Sequence, residues 1–192
     1  MRTVIPKNAV LVPKDADKVF EGIIFDIYQW QQKLFDGSYK TFEMAKRPDT
    51  IVVIAIKYDK VIVLDQKQPG TNRYYDFPSG RHDDESETEL DAAKRELLEE
   101  TGLEFANWRL VYAYQRNMRL EQIYYLYIAT DLLKQSQPAR DPGEDIKILE
   151  LSYDEALQKI NSPISDVLAD ERMIFEKAGS IQGLLNLPEY KS

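Results

Sequence analysis

Glu96, Glu99 and Glu100 stand three and four positions apart in the run AAKRELLEETGL, and those residue types at that spacing can hold a cation. At about 100° per residue on a helix, the three carboxylates fall within an arc of roughly 100°. Carboxylate oxygens are hard donors, so the ion they suit is Mg²⁺, with Mn²⁺ as a possible substitute. Acids in the last helical turn oppose the helix dipole and repel one another, at about 0.3 to 1 kcal/mol apiece, unless a cation or a basic partner compensates. A solvated acidic face has no reason to accept that cost.

The helix that must carry them is legible. Leu90, Ala93 and Leu97 gather on a different arc from the acids, so one side can dock on a core while the other faces a cleft. Thr88 is a fitting N-cap with Asp91 at the third turn position, and Gly102 stands where a left-handed residue closes the C-terminus. The stretch GRHDDESETELDAAKRELLEETGL, 80–103, resembles the motif of the Nudix hydrolases, G-x5-E-x7-R-E-U-x-E-E-x-G-U with U a bulky aliphatic residue. Gly80, Glu87, Arg95, Glu96, Leu97, Glu99, Glu100, Gly102 and Leu103 match in order, with one residue inserted between Gly80 and Glu87 that lengthens the loop before the helix.

The resemblance implies roles. Glu96 and Glu100 ligate Mg²⁺, Glu99 ligates or bridges a second ion, and the carbonyl of Ser79 is a further donor. Glu121, at the start of a strand, matches an acid often found near the metals. Arg95 holds the loop and helix acids in place together with Glu87. In the ADP-ribose pyrophosphatase branch a loop Glu acts as general base, which in this chain is Glu144 of the pattern GEDI, with Asp145 in reserve. Members selective for ADP-ribose commonly have Gln-x-Arg-Pro before the motif, whereas here Gln66, Lys67, Gln68 and Pro69 occupy that run. Lys67, Arg73, Lys46 and Arg47 are the available sources of the missing phosphate-binding charge.

Composition narrows the alternatives. The chain has 192 residues, 43% hydrophobic, a formal net charge of −8, one His and no Cys. Its length suits one domain with a sizeable core. The acidic balance disfavours nucleic acid or an anionic membrane as partner. Absence of cysteine excludes thiolate catalysis, disulfides and Cys-based zinc sites. A single imidazole, His82, excludes a multi-histidine metal site, and no nucleophile elbow accompanies it. It reads as either an exposed loop residue or a substrate contact. No phosphate-cradling glycine loop occurs, and with no signal peptide or long apolar span the expected location is the cytoplasm.

Around the acidic helix, IVVIAI (51–56) and IYYLYI (123–128) are apolar on both alternating faces, as central strands covered on two sides are. Lys60 to Gln66 forms a hairpin with the first, and Leu110 to Tyr114 and Ile146 to Leu151 add strands. Ser152 with Glu155 makes a capping box for a helix through about Ile160, and a second helix is expected from Ser165 to Ala178. The expected fold is α/β, a mixed sheet with helices on both faces, in keeping with the α/β/α sandwich the resemblance implies. Residues 49–192 make this hydrolase domain. Residues 1–48 make an N-terminal β-ribbon, one arm running from Lys18 to Phe35 and returning after the turn at Asp36-Gly37. By the resemblance such a ribbon joins a homodimer and lends aromatics to the base pocket, with Tyr28 and Trp30 as stacking candidates; the alternative is that they pack the ribbon onto the domain. The loop 135–145, QSQPARDPGED, is expected to be mobile and suited to act as a lid.

Together these readings predict Mg²⁺-dependent hydrolysis of a nucleotide sugar, ADP-ribose favoured, with another nucleotide sugar or a dinucleotide as the alternative. Two other classes remain open: a noncatalytic nucleotide sensor and a metal-stabilised structural protein.

Overall fold

The computed structural model describes residues 2–84, 86–140, 142–143 and 145–191. Among the described residues eleven strands and four helices follow in the order β1 (Asp17–Glu21), β2 (Asp26–Lys33), β3 (Tyr39–Lys46), β4 (Asp49–Lys57), β5 (Lys60–Lys67), β6 (Tyr74–Asp76), β7 (Ser79–His82), α1 (Glu89–Thr101), β8 (Leu103–Tyr114), β9 (Leu120–Glu121), β10 (Tyr124–Gln135), β11 (Asp145–Leu151), α2 (Tyr153–Ile160), α3 (Ala169–Ala178) and α4 (Ile181–Leu185). The central sheet runs β11-β5-β4-β10-β8, with β6 on β5 and β7 on β4. β4 and β10 are parallel and the other pairs antiparallel, so the sheet is mixed.

The double-faced apolar runs have a direct cause. Ile51, Val53 and Ala55 of β4 pack with Ala92, Ala93 and Leu97 of α1 on one face. Val52, Ile54 and Ile56 pack with Tyr153, Phe175 and Leu184 of α2 to α4 on the other. A strand buried on both sides has no polar face to show. The α/β/α sandwich is thus present. Helix α1 begins with the expected cap: Thr88 Oγ1 accepts from Asp91 N at 3.1 Å while the Asp91 carboxylate accepts from Thr88. It ends at Gly102, φ 71°, whose N–H donates to Leu98 O.

Three expectations differ from the structure. The N-terminal arm does not run unbroken from 18 to 35: it turns at 22–25, so β1, β2, β3 and β9 form a four-stranded sheet. A Cβ at Gly22 would lie 2.5 Å from Phe25 O, which reserves that turn for glycine. The second C-terminal helix starts at Ala169, not Ser165. Residues 164–166 instead bond to Tyr75, Tyr75 N donating to Ile164 O and Asp166 N to Tyr75 O, and a backbone committed to that bridge cannot begin a helix. The loop after β10 is pinned along its first half: Ser136 N donates to Gly102 O, Ala139 N to Glu99 O and Arg140 Nε to Glu100 O at 3.0 Å.

Candidate active site

Helix α1 crosses β7 so closely that residue 80 has no room for a side chain. A Cβ there would fall 1.9 Å from Glu96 Cδ. The Glu96 carboxylate fills the place of that missing methyl and accepts from Arg81 N at 3.1 Å. One turn on, Glu100 Oε2 accepts from Ser79 N at 3.0 Å. Two of the three helix acids are therefore fixed against the backbone of one short strand. Arg95 organises the remainder: Nε and Nη2 grip both oxygens of Glu87 at 3.0 and 3.1 Å. Its Nη1 reaches Glu96 Oε1 at 2.7 Å and Glu99 Oε2 at 3.3 Å, and Nη2 also donates to Arg81 O. Across the inserted loop Glu87 still meets Arg95, so the extra residue is absorbed without moving the hub.

Electrostatics at this place favour a cation. Burial, reinforced by Glu99, holds the Glu96 carboxyl above the ordinary glutamate range although Arg95 pulls the other way. One guanidinium contacts three carboxylates, which leaves negative charge in excess beside a fourth, Glu100. Oxygen donors, excess negative charge and a half-buried wall suit a hard divalent ion in their chemistry. Among the described residues no three acidic or imidazole side chains already enclose a point, and Arg95 Nη1 donates to both Glu96 and Glu99. Glu96, Glu99 and Glu100 are the residues that could hold the ion.

Glu121 has other partners. Buried at 3% exposure, it receives Arg2 Nη1 at 2.7 Å, Lys46 Nζ at 3.2 Å and Val12 N at 2.5 Å. Burial alone would raise its pKa; these donors outweigh it and hold the carboxylate below the ordinary range. Arg2 also grips Asp49 through both oxygens, at 2.6 and 2.8 Å, and Asp49 accepts from Ile123 N at 2.8 Å. Thr3 and Val4 donate to Glu89 at the start of α1. The first residues thus strap β4, β9 and α1 together. Sequence reading missed Arg2 and Asp49, whose separation of 47 residues leaves no local pattern, although a buried acid opening an apolar strand was a usable signal.

The remaining candidates divide. Arg73 is engaged by Asp65 and Asp145 at 2.7 and 2.6 Å, away from the cavity described next. Tyr28 lies beneath Lys18 and Trp30 beside Phe42, with Trp30 Nε1 donating to Gln32; both pack within the N-terminal sheet. Glu144 lies outside the described residues. His82 is buried and not exposed, ending β7 with Nε2 2.8 Å from Glu87 O. Beside it opens a cavity of about 720 Å³, bounded by the 22–25 turn, Lys46, Arg47, Arg2 and His82.

A NUDIX domain model matches residues 46–170. The chain is 29% identical over 149 residues to a protein named methanol dehydrogenase activator from Bacillus methanolicus, covering 75% of this chain and 80% of that one. It is 25% identical over 150 residues to an ADP-ribose pyrophosphatase of Bacillus subtilis, covering 76% and 80%. The crystal structure of an ADP compounds hydrolase superposes with a TM-score of 0.69 at 17% identity, over 89% of this chain and 94% of that one, a likeness of fold. Since the model spans well over half of the 192 residues and takes in Gly80, Arg95 and the row of glutamates, the chain belongs to the Nudix family and is a Nudix hydrolase.

Proposed function

We propose that this chain is a Mg²⁺-dependent pyrophosphohydrolase that splits a nucleoside diphosphate joined to a second moiety, with ADP-ribose as the favoured substrate. Nudix hydrolases generally need a divalent metal, and they act on nucleotide-derived small molecules. The observation that carries the reading is the seating of Glu96 and Glu100 on the Gly80 and Ser79 backbone, with Arg95 clamping Glu87, Glu96 and Glu99. When bound, the cation supplies positive charge to the phosphate oxygens.

The chain's own groups account for the other requirements. Water adds to one phosphorus, the bridging P–O bond breaks, and ADP-ribose plus water gives AMP and ribose 5-phosphate. Glu96 and Glu100 arrive preplaced because α1 is capped at both ends and docked through Ala93 and Leu97. Arg95 keeps the like charges from splaying. Glu144 takes the proton, with Glu99 as the second acid near the phosphorus; Ser79 adds its carbonyl to the donor set. The resemblance to a named ADP-ribose pyrophosphatase favours the adenine substrate.

Product analysis with Mg²⁺ tests the proposal. ADP-ribose should yield AMP and ribose 5-phosphate, and Glu100→Gln should lower kcat by about 10²-fold or more, the scale expected when a charge-stabilising group is removed. Tight nucleotide binding without turnover by the native protein would contradict it and favour the sensor reading.

A further inference from the structure

Glu99 and Glu100 stand in the last turn of α1, where no residue is basic, so the positive charge that a helix C-terminus favours must come from elsewhere in the chain. Arg140 supplies it. Its Nε donates to Glu100 O at 3.0 Å, while Ala139 N donates to Glu99 O and Ser136 N to Gly102 O. The carbonyls of Glu99 and Glu100 are among those that a helix end leaves without internal partners, and here the segment after β10 takes them up. That approach needs Gly102 for a second reason besides its φ of 71°: a Cβ there would lie 2.2 Å from Ser136 O.

The same guanidinium reaches onward. Arg140 Nη1 donates to Ile146 O at 2.6 Å, and Ile146, opposite Gln66 of β5, is buried in the same core cluster as Ala93 and Leu97 of α1. One side chain thus joins the end of the glutamate helix to the beginning of β11, six residues further along the chain. A planar group with donors on separate nitrogens holds two carbonyls at a fixed angle, and both anchors belong to regular elements packed on the core. The chain between them, 141–145, therefore starts and ends at fixed points, and it carries Glu144, the acid assigned the proton.

We propose that Arg140 is a positioning residue for the hydrolysis: by holding the carbonyls of Glu100 and Ile146 together, it sets the proton-accepting segment against the glutamates of α1. The carboxylates of Glu96 and Glu100 have seats of their own on Arg81 N and Ser79 N, so a change at Arg140 acts on the segment and not on the ion. The proposal rests on the hydrolase reading and on Glu144 as proton acceptor.

Steady-state kinetics of the full chain with Mg²⁺ on ADP-ribose, Mn²⁺ binding and amide exchange test it together. Arg140→Ala should lower kcat about tenfold or more, as a misplaced reacting group does, with KM and Mn²⁺ affinity changed less than about twofold. Glu144→Gln should lower kcat about 10²-fold. Adding Arg140→Ala to it should cost less than about twofold more, since residues acting as one unit are not additive. Arg140→Lys keeps a charge for the helix end but not the fork, so it should restore the Tm lost in Arg140→Ala and leave kcat low. The Ala139 amide should exchange about tenfold faster in Arg140→Ala than in the native chain. Additive losses in the double variant, a Glu144→Gln change without effect included, would overturn the proposal, as would Mn²⁺ affinity falling in step with kcat or kcat restored by Arg140→Lys. A native chain that turns over no nucleotide would sink the hydrolase reading; exchange at Ala139 then decides the clamp by itself, faster exchange in Arg140→Ala keeping it and unchanged exchange removing it.

Discussion

At the scale of single residues, the site depends on Gly80 having no side chain. Glu96 occupies the volume a Cβ would need, 1.9 Å from its Cδ, and the helix behind it is docked on buried Ala93 and Leu97, so neither partner can retreat cheaply. Gly80→Ala should therefore displace the Glu96 carboxylate and lower kcat/KM by about 10²-fold, the loss expected of misplacing a reacting geometry by an ångström. Circular dichroism should show the fold retained; unaltered kinetics would mean that the seat does not matter. The three helix acids were legible because spacing on one helix fixes their geometry, and Arg95 and Glu87 because the motif that the stretch resembles assigns them a role. Arg2 was not, since its partners Asp49 and Glu121 are 47 and 119 residues away and only the folded chain brings them to it.

Among the elements, the N-terminal strap is the least obvious and the easiest to test. Arg2 is the main counter-charge for two carboxylates, each with a side chain 4% exposed. Removing one partner of such a pair costs about 3 to 5 kcal/mol; with Lys46 and two backbone N–H donors remaining, the lower end applies. Arg2→Ala should lower Tm by on the order of 10 °C, at roughly 2 to 4 °C per kcal/mol for a chain of this size. The sign with pH follows from Glu121, whose folded pKa lies below the ordinary value of 4.5. Its stabilisation is complete above that value and fades as pH falls through the lowered one. The Tm gap between native and Arg2→Ala protein should therefore narrow on acidification below 4.5; a gap that is constant or widens would contradict the strap. Helices α1 and α2 were readable from their caps, which are local. The late start of α3 and the turn at Gly22 were not, because a bridge to Tyr75 and a close backbone approach decide them.

For the molecule as a whole, the central strands were legible from their double-faced apolar runs, while strand order was not, because pairing between β4 and β10 joins segments far apart in the chain. No helix among the described residues is long and apolar enough to cross a membrane. The N-terminal sheet leaves β1 exposed along its length and shows Val19, Phe20 and Phe42 to solvent. An uncovered apolar sheet edge of this kind invites pairing, and we propose that a second copy of the chain covers it. Sedimentation at micromolar concentration should give a dimer, and Phe20→Glu should give a monomer; a native monomer would remove the proposal.

The central claim, that the glutamates of α1 hold a divalent ion, is tested most directly by titrating the protein with Mn²⁺ and counting the free ion by electron paramagnetic resonance. The native chain should bind the ion, and Glu96→Gln and Glu100→Gln should each weaken it at least tenfold, about 1.4 kcal/mol or more, with secondary structure preserved. Binding of equal strength in both variants would contradict the account.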